Sequence, residues 1–286
     1  MAKLRGMNER IQKLRELSVT TPVHIDLERA KIETDFYKAN DGKYSIPVMR
    51  AMVLKEYFSR KTLYLGDGEL IIGEKGKDPQ ASPTFPELCC HSVEDMVVMS
   101  ERELVSFKTT EEDRKLQAEE IIPYWTGRSM REKILARMTP EWHECYSAGM
   151  FTEFMEQRGP GHTCGGEQVF TTGYLDYKEK IRQTMEVLDY INDPEAVNKC
   201  EELKAMDISC DAVIILGKRY HKLALEMAEK EADETRKKEL LEIAANLEVV
   251  PAHKPQTYWQ AIQLYWFTHL AVTTELNPWD AFSPGR

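Results

Sequence analysis

Leu63-Tyr64-Leu65-Gly66-Asp67-Gly68-Glu69-Leu70-Ile71-Ile72-Gly73 interrupts an otherwise helical pattern. Gly66-Asp67-Gly68 reads as a turn and Glu69-Leu70-Ile71-Ile72 as a short extended piece. Immediately downstream, Pro79, Pro83 and Pro86 keep residues 76–86 extended and stiff, because each proline fixes its own φ and restricts the residue before it. On either side of this stretch helices take over.

Toward the N-terminus, residues 1–17 are charged and weakly amphipathic, as in a surface helix or arm. Asp26 is placed to cap a helix that carries Ile32 and Phe36 on one face and stops at Asn40-Asp41-Gly42. Ser45, with Pro47 just inside, starts a second helix. Its apolar face, Val48, Ala51 and Met52 on one side and Met49, Val53 and Tyr57 on the other, is wide enough to be buried between layers.

Toward the C-terminus, Ser92 with Asp95, Thr110 with Asp113 and Ser129 with Glu132 have the spacing of capping boxes and mark three helix starts. Leu175, Ile181, Met185 and Leu188 recur at helical intervals until Asn192-Asp193-Pro194. Residues 195–249 favour helix, with Leu203, Met206, Cys210, Ile214 and residues 223–227 as the apolar seam. Within them, residues 229–238 are almost wholly charged and read as a solvated face or a helix-helix turn. After Pro251 and Pro255 comes an aromatic helix over 258–270 whose Trp259, Tyr265, Trp266 and Phe267 fit a core stripe better than a cofactor platform. The pattern predicts a mainly α fold with a few short strands. It contains no internal repeat, low-complexity tract or linker.

With 286 residues, 42% of them hydrophobic and 30% charged, the chain can bury a sizeable core. A net charge of -10 without a basic stripe argues against nucleic acid or an acidic membrane as the main partner. The longest strongly apolar run, residues 212–216, is too short to span a bilayer, and Met1-Ala2-Lys3-Leu4-Arg5-Gly6 lacks the apolar segment of a secretory signal, so the expected location is cytoplasmic. Six scattered cysteines give no disulfide framework, and reduced thiols are the default. His143 with Cys145 and His162 with Cys164 do not match the ligand spacing of a zinc site, so no metal is expected.

The stretch richest in chemistry is residues 151–168. A helix-like segment runs out at Arg158 into Gly159-Pro160-Gly161, followed by His162, Thr163, Cys164 and Gly165-Gly166. Such a glycine density lets backbone approach other groups closely, and a histidine held there titrates near neutrality and can donate or accept a proton. The competing reading is a Gly-rich turn with a solvent-facing His.

Several blocks together resemble the glycyl radical enzymes, the superfamily of pyruvate formate-lyase. In chain order they are Asp67-Gly68-Glu69-Leu70-Ile71-Ile72-Gly73, Pro83-Thr84-Phe85-Pro86-Glu87, Ile122-Pro123-Tyr124-Trp125, Val249-Val250-Pro251-Ala252 with Ala261-Ile262-Gln263, and Glu275-x-Asn277 leading to Ser283-x-Gly285-Arg286. Within that superfamily, residues 153–158 running into Gly161-His162, and Asn277-x-Trp279-Asp280-Ala281-Phe282, are most similar to the trans-4-hydroxy-L-proline dehydratase family. The resemblance implies that His162 is catalytic and hydrogen-bonds near the substrate hydroxyl, that Asp280 faces the ring ammonium, and that Phe154 packs against the ring. Local readings compete with these: Asp280 as a loop carboxylate capping backbone amides, Phe154 as core packing.

The resemblance further implies a ten-stranded α/β barrel for the complete enzyme, with residues 1–286 as a single N-terminal portion of a pyruvate formate-lyase-like domain. The Cys-x-Glu-type loop and the Arg-Val-x-Gly-Tyr-like radical segment of the family do not occur here, and the chain reads as cut in mid-motif after Ser283-Pro284-Gly285-Arg286. No cofactor is expected to bind this chain directly. The glycyl radical would lie outside it and be installed by a separate S-adenosylmethionine-dependent iron-sulfur activating enzyme. The implied partners are a small amino-acid substrate, that activating enzyme, and further copies in a homo-oligomer at full length. The chain alone is expected to be inactive. Other glycyl radical chemistries, on a diol, choline or pyruvate, and a non-catalytic remnant remain as alternatives.

Overall fold

The computed structural model describes residues 6–151 and 166–275. The elements run α1 (Glu9–Thr20), β1 (His24–Asp26), α2 (Glu28–Asn40), α3 (Ile46–Arg60), β2 (Ala81–Pro83), α4 (Val93–Glu101), α5 (Glu111–Leu116), a π-helical turn (Gln117–Ile121), α6 (Ile122–Trp125), α7 (Met130–Leu135), α8 (Pro140–Ser147), α9 (Gln168–Thr171), α10 (Tyr174–Glu186), α11 (Ala196–Lys230), α12 (Glu234–Val249) and α13 (Tyr258–Glu275). Helix dominates, as the periodicity predicts. Among the described residues the only sheet is a parallel pair, β1 beside β2, with His24 opposite Ala81 and Asp26 opposite Pro83.

The larger core forms where α3 and α12 pack on the long α11 and α13 closes the group. The buried face of α3, Val48, Met49, Ala51, Val53, Leu54, Tyr57 and Phe58, is as wide as its sequence implies. On α11 the buried positions include Ala212, Gly217, Ala224 and Ala228, so small residues let neighbouring chain come close. Gly217 is the tightest case: a Cβ there would sit 2.3 Å from Cδ of Pro251. Arg219 of α11 donates to the carbonyls of Phe58 at 2.7 Å and Lys61 at 2.8 Å, satisfying the end of α3. The helix-helix turn expected in residues 229–238 lies between Lys230 and Glu234, and Asp233 caps α12 by accepting from the Arg236 amide at 2.7 Å.

Residues 69–72 are not a strand. The stretch is irregular and sits among helices whose side chains take over the role of neighbouring strands. Arg236 donates to the carbonyls of Gly66 at 2.9 Å and Glu69 at 2.8 Å. From successive turns of α13, the Trp259 indole donates to Leu70 O at 2.7 Å, the Gln263 amide pairs with both polar groups of Ile72 at 2.9 Å, and Trp266 donates to Gly73 O at 2.8 Å. The ammonium of Lys61 then reaches the carbonyls of Glu74, Lys75 and Gly76. A buried backbone without ladder partners must be satisfied this way. Gly73 is required here, with φ +121° and Leu270 Cδ1 2.8 Å from where a Cβ would stand.

Other local expectations are corrected. Ser92 with Asp95 and Thr110 with Asp113 form reciprocal capping boxes, whereas Ser129 accepts from the Glu132 amide while its own N–H is bonded to Trp125 O. α10 stops at Glu186 rather than at residue 191, and Val187 and Ile191 beyond it are exposed. On α11 Met206 is exposed, with Ala205 taking its place in the buried seam. The N-cap of α2 is Leu27, without a side-chain cap bond, rather than Asp26, which one residue earlier accepts from the Glu28 amide at 3.0 Å and the Lys77 amide at 2.8 Å and so joins the start of α2 to the proline-stiffened loop.

Candidate functional site

α2 buries Ile32, as its apolar spacing suggests, and beside it a charged stripe. Phe36 is half-exposed, while Arg29 and Glu33, one turn apart, are buried. That is possible because the guanidinium of Arg29 is saturated. Its Nε donates to Thr274 O at 3.0 Å, Nη1 to Glu33 Oε2 at 2.7 Å, to Glu87 Oε2 at 3.2 Å and to Thr84 O at 3.3 Å, and Nη2 to Glu87 Oε1 at 2.7 Å and to Glu275 O at 3.2 Å. The Phe85 ring lies 4.1 Å beneath it. Bidentate pairing with Glu87 uses the planar fork that lysine lacks.

Charge in this cluster is balanced inside the protein. Burial works against the charge on Arg29, but Glu33 and Glu87 outweigh it and raise its pKa. Burial raises the Glu33 carboxyl well above the ordinary range. Arg29 opposes that rise, while the carboxyl of Glu87, hydrogen-bonded to it, adds to it. Next to them, Arg50 of α3 donates through Nε to Glu275 Oε1 at 2.7 Å and again through Nη2. Two guanidiniums thus face three carboxyls.

These residues line one side of a cavity of about 450 Å³, together with Tyr37, Trp125 and the side chains of Arg128, Lys133 and Arg137. The cavity lies at the end of α13, and the segment carrying Asp280 begins at the next residue. The Trp125 indole donates to Thr34 Oγ1 at 2.9 Å and so fixes the wall beside α2. Burial pushes Cys90 up to about 12 and Cys210 up to about 11.

Phe154, His162 and Asp280 all lie outside the described residues, which end at Phe151, resume at Gly166 and end again at Glu275. What the structure gives is the anchorage on either side. Phe151 packs edge-on to Trp142 of α8, with ring centroids 5.1 Å apart. After residues 152–165, α9 lands on α13, where Phe170 stacks on Tyr265 at 6.5 Å, and the hydroxyl of Tyr174, the first residue of α10, donates to Thr268 Oγ1 at 3.1 Å. Sequence reasoning missed Arg29, Glu33, Arg50 and Glu87 as a group. The i,i+4 pair Arg29 and Glu33 was visible, but it has the same spacing as an ordinary surface ion pair.

The comparisons agree with this architecture. The chain is 55% identical over 282 residues to trans-4-hydroxy-L-proline dehydratase of Clostridioides difficile, covering 99% of this chain and 36% of that protein. It is 30% identical to an isethionate sulfite-lyase of Nitratidesulfovibrio vulgaris, over 99% of this chain and 35% of the relative. The crystal structure of the Clostridioides difficile hydroxyproline dehydratase with trans-4-hydroxy-L-proline bound superposes with a TM-score of 0.94 at 54% identity, again over 99% of this chain and 36% of that one. The chain therefore spans about a third of the length of these relatives. The Pyruvate formate lyase-like family model matches residues 7–286, from the start of α1 through the block that leads to Arg286, and the chain belongs to that family.

Proposed function

We propose that these residues are the N-terminal portion of a pyruvate formate-lyase-like domain in a glycyl radical hydro-lyase that removes water from trans-4-hydroxy-L-proline to give a pyrroline-5-carboxylate. The observation that carries this reading is the 55% identity, along nearly the whole chain, to an enzyme named for that substrate. The catalytic cysteine and radical glycine lie in the part of the enzyme that these 286 residues do not span, so this portion alone is inactive. The glycyl radical, installed by a separate S-adenosylmethionine-dependent iron-sulfur enzyme, would supply the radical chemistry of the reaction through the catalytic cysteine.

This chain's own part is to bind and orient. Asp280 accepts a charge-assisted hydrogen bond from the ring ammonium, worth about 1.5–3 kcal/mol. Phe154 packs on the ring face. His162 holds the 4-hydroxyl and helps an acid deliver the proton with which it leaves as water, because hydroxide itself is a poor leaving group. Supporting this reading, the described residues that flank the two segments in the chain meet at α13: Phe170 of α9, which follows the first segment, stacks on Tyr265, and α13 ends at Glu275, five residues before Asp280 in the sequence. The working protein is a cytoplasmic homo-oligomer, and no helix among the described residues is long and apolar enough to cross a membrane.

The test is calorimetric titration of the full-length gene product, without activation, with trans-4-hydroxy-L-proline and with isethionate. Binding of the first, weakened about 10- to 100-fold by Asp280→Asn, supports the reading. Binding of isethionate in its place refutes it. The 30% identity to the sulfite-lyase makes that the second reading.

A further inference from the structure

We infer that residues 101–106 form a knob that a second copy of this chain receives in the cavity at the end of α13, and that the exchange is reciprocal, each copy giving a knob and taking one. The inference rests on the proposed homo-oligomer and names the surfaces that would build it.

Between the end of α4 and Phe107 the chain makes a turn whose apolar side chains face water. Leu104 is 81% exposed, Val105 75%, and Val98 on the last turn of α4 64%. Val105 also stands at φ +53°. A β-branched residue in the left-handed region is strained, and such a conformation persists only where its surroundings impose it. Here they do. Arg102 Nε donates to Val105 O at 2.7 Å, the Arg102 guanidinium lies 5.6 Å from the centre of the Phe107 ring, and the Phe107 N–H donates to Met99 O at 2.9 Å. A mere connector needs neither the strain nor two exposed apolar side chains side by side. Both make sense in a contact surface that is held ready.

The charges around the knob say what it fits. Glu101 and Glu103 flank its tip, are exposed, and have no ion pair among the described residues. The matching surface is an apolar recess with unpaired cations at its edge, and this chain carries one. The cavity of about 450 Å³ has Ile46, Met130 and Ile134 in its wall, and Lys133 and Arg137, both exposed and likewise without an ion pair among the described residues, line it too. Ile46 is 79% exposed and Met130 40%, so the apolar wall reaches the open side. Docking puts Leu104 and Val105 against that wall and the two glutamates beside the two cations, so apolar surface that each copy alone leaves in water is buried on both sides. The charge pairs at the rim set register and speed encounter more than they add affinity. Knob and recess are different patches, and a single contact between them would propagate into a ring or filament. The reciprocal pair closes into a two-fold dimer.

The experiment uses the full-length gene product. Sedimentation over a dilution series gives the mass and dissociation constant of the assembly. Leu104→Cys and Ile134→Cys are made as separate proteins, mixed and oxidised. The mixture should yield a disulfide-linked product of twice the chain mass, at least tenfold more of it than either protein alone. Glu101→Lys with Glu103→Lys, and Lys133→Glu with Arg137→Glu, should each raise the dissociation constant at least tenfold. A protein carrying all four reversals should return to within threefold of wild type, a rescue that separates a lost contact from lost folding. A monomeric wild type refutes the homo-oligomer and this inference with it. An oligomeric wild type whose mixture does not cross-link, or whose dissociation constant ignores the reversals, refutes only the pairing of knob and cavity. Reversals that lower the melting temperature while self-association stays unchanged would put the rest of the same polypeptide in the cavity and overturn the inference equally.

Discussion

The side-chain amide of Gln263 and the peptide of Ile72 form a closed pair of hydrogen bonds: Gln263 Oε1 accepts from the Ile72 N–H, and Nε2 donates to Ile72 O, both at 2.9 Å. Ile72 is fully buried, so the amide replaces the strand neighbour that this segment lacks. Gln263→Met keeps the volume and removes both partners. Leaving two buried backbone groups unsatisfied should cost about 2–4 kcal/mol. A lowered melting temperature with faster hydrogen exchange at the Ile72 amide is the expected result. No change in either would mean that the segment is held by packing alone.

Gly217 lets the Val250-Pro251 turn lie against α11. Gly217→Ala puts a methyl group 2.3 Å from a proline carbon, a clash that neither rigid partner can relieve cheaply. Overpacking of this kind should cost about 1–3 kcal/mol. Gly6→Ala, where nothing lies within 4 Å, serves as the control and should leave the melting temperature unmoved.

Burial, reinforced by Glu69 and opposed by Lys61, pushes the Glu74 carboxyl up to about 7 from an ordinary 4.5. Between those values the folded state holds a proton that the unfolded state has lost, so stability falls as pH rises through that window and stays low above it. Glu74→Gln removes this dependence. The melting-temperature difference, variant minus wild type, should therefore be larger at pH 8 than at pH 5. A difference that does not vary with pH would show that Glu74 ionises as an ordinary surface carboxylate.

In the activated full-length gene product, the two proposed contacts should separate kinetically. Asp280→Asn removes an interaction made with the bound ring and should act mainly on KM, whereas His162→Gln should lower kcat by about 10- to 100-fold, within the range of general acid–base assistance. The check is steady-state kinetics over substrate concentrations from well below KM to saturation. Equal effects of both variants on KM alone would place His162 in binding only.

Much of the fold was legible in the sequence because helix starts, stops and wide apolar faces are local signals. Ser92, Thr110 and the face of α3 show this directly. Residues 69–72 read as a short extended piece, but nothing in a local pattern tells a strand neighbour from an indole and an amide on a helix 189 and 191 residues later. The charged cluster was illegible for the same reason. Arg29 meets Thr274 and Glu275 only after the chain has folded, and an Arg and a Glu at helical spacing usually face solvent. The proposed contacts His162, Asp280 and Phe154 were reached through motif resemblance, and they fall outside the described residues.

The most direct measurement is anaerobic incubation of the activated full-length gene product with trans-4-hydroxy-L-proline, following substrate loss and pyrroline-5-carboxylate formation. The proposal predicts that the two match one to one, with one water released per turnover and none of it seen for the isolated 286-residue chain. Hydroxyproline left intact by an enzyme that consumes isethionate or a diol under the same conditions would contradict it.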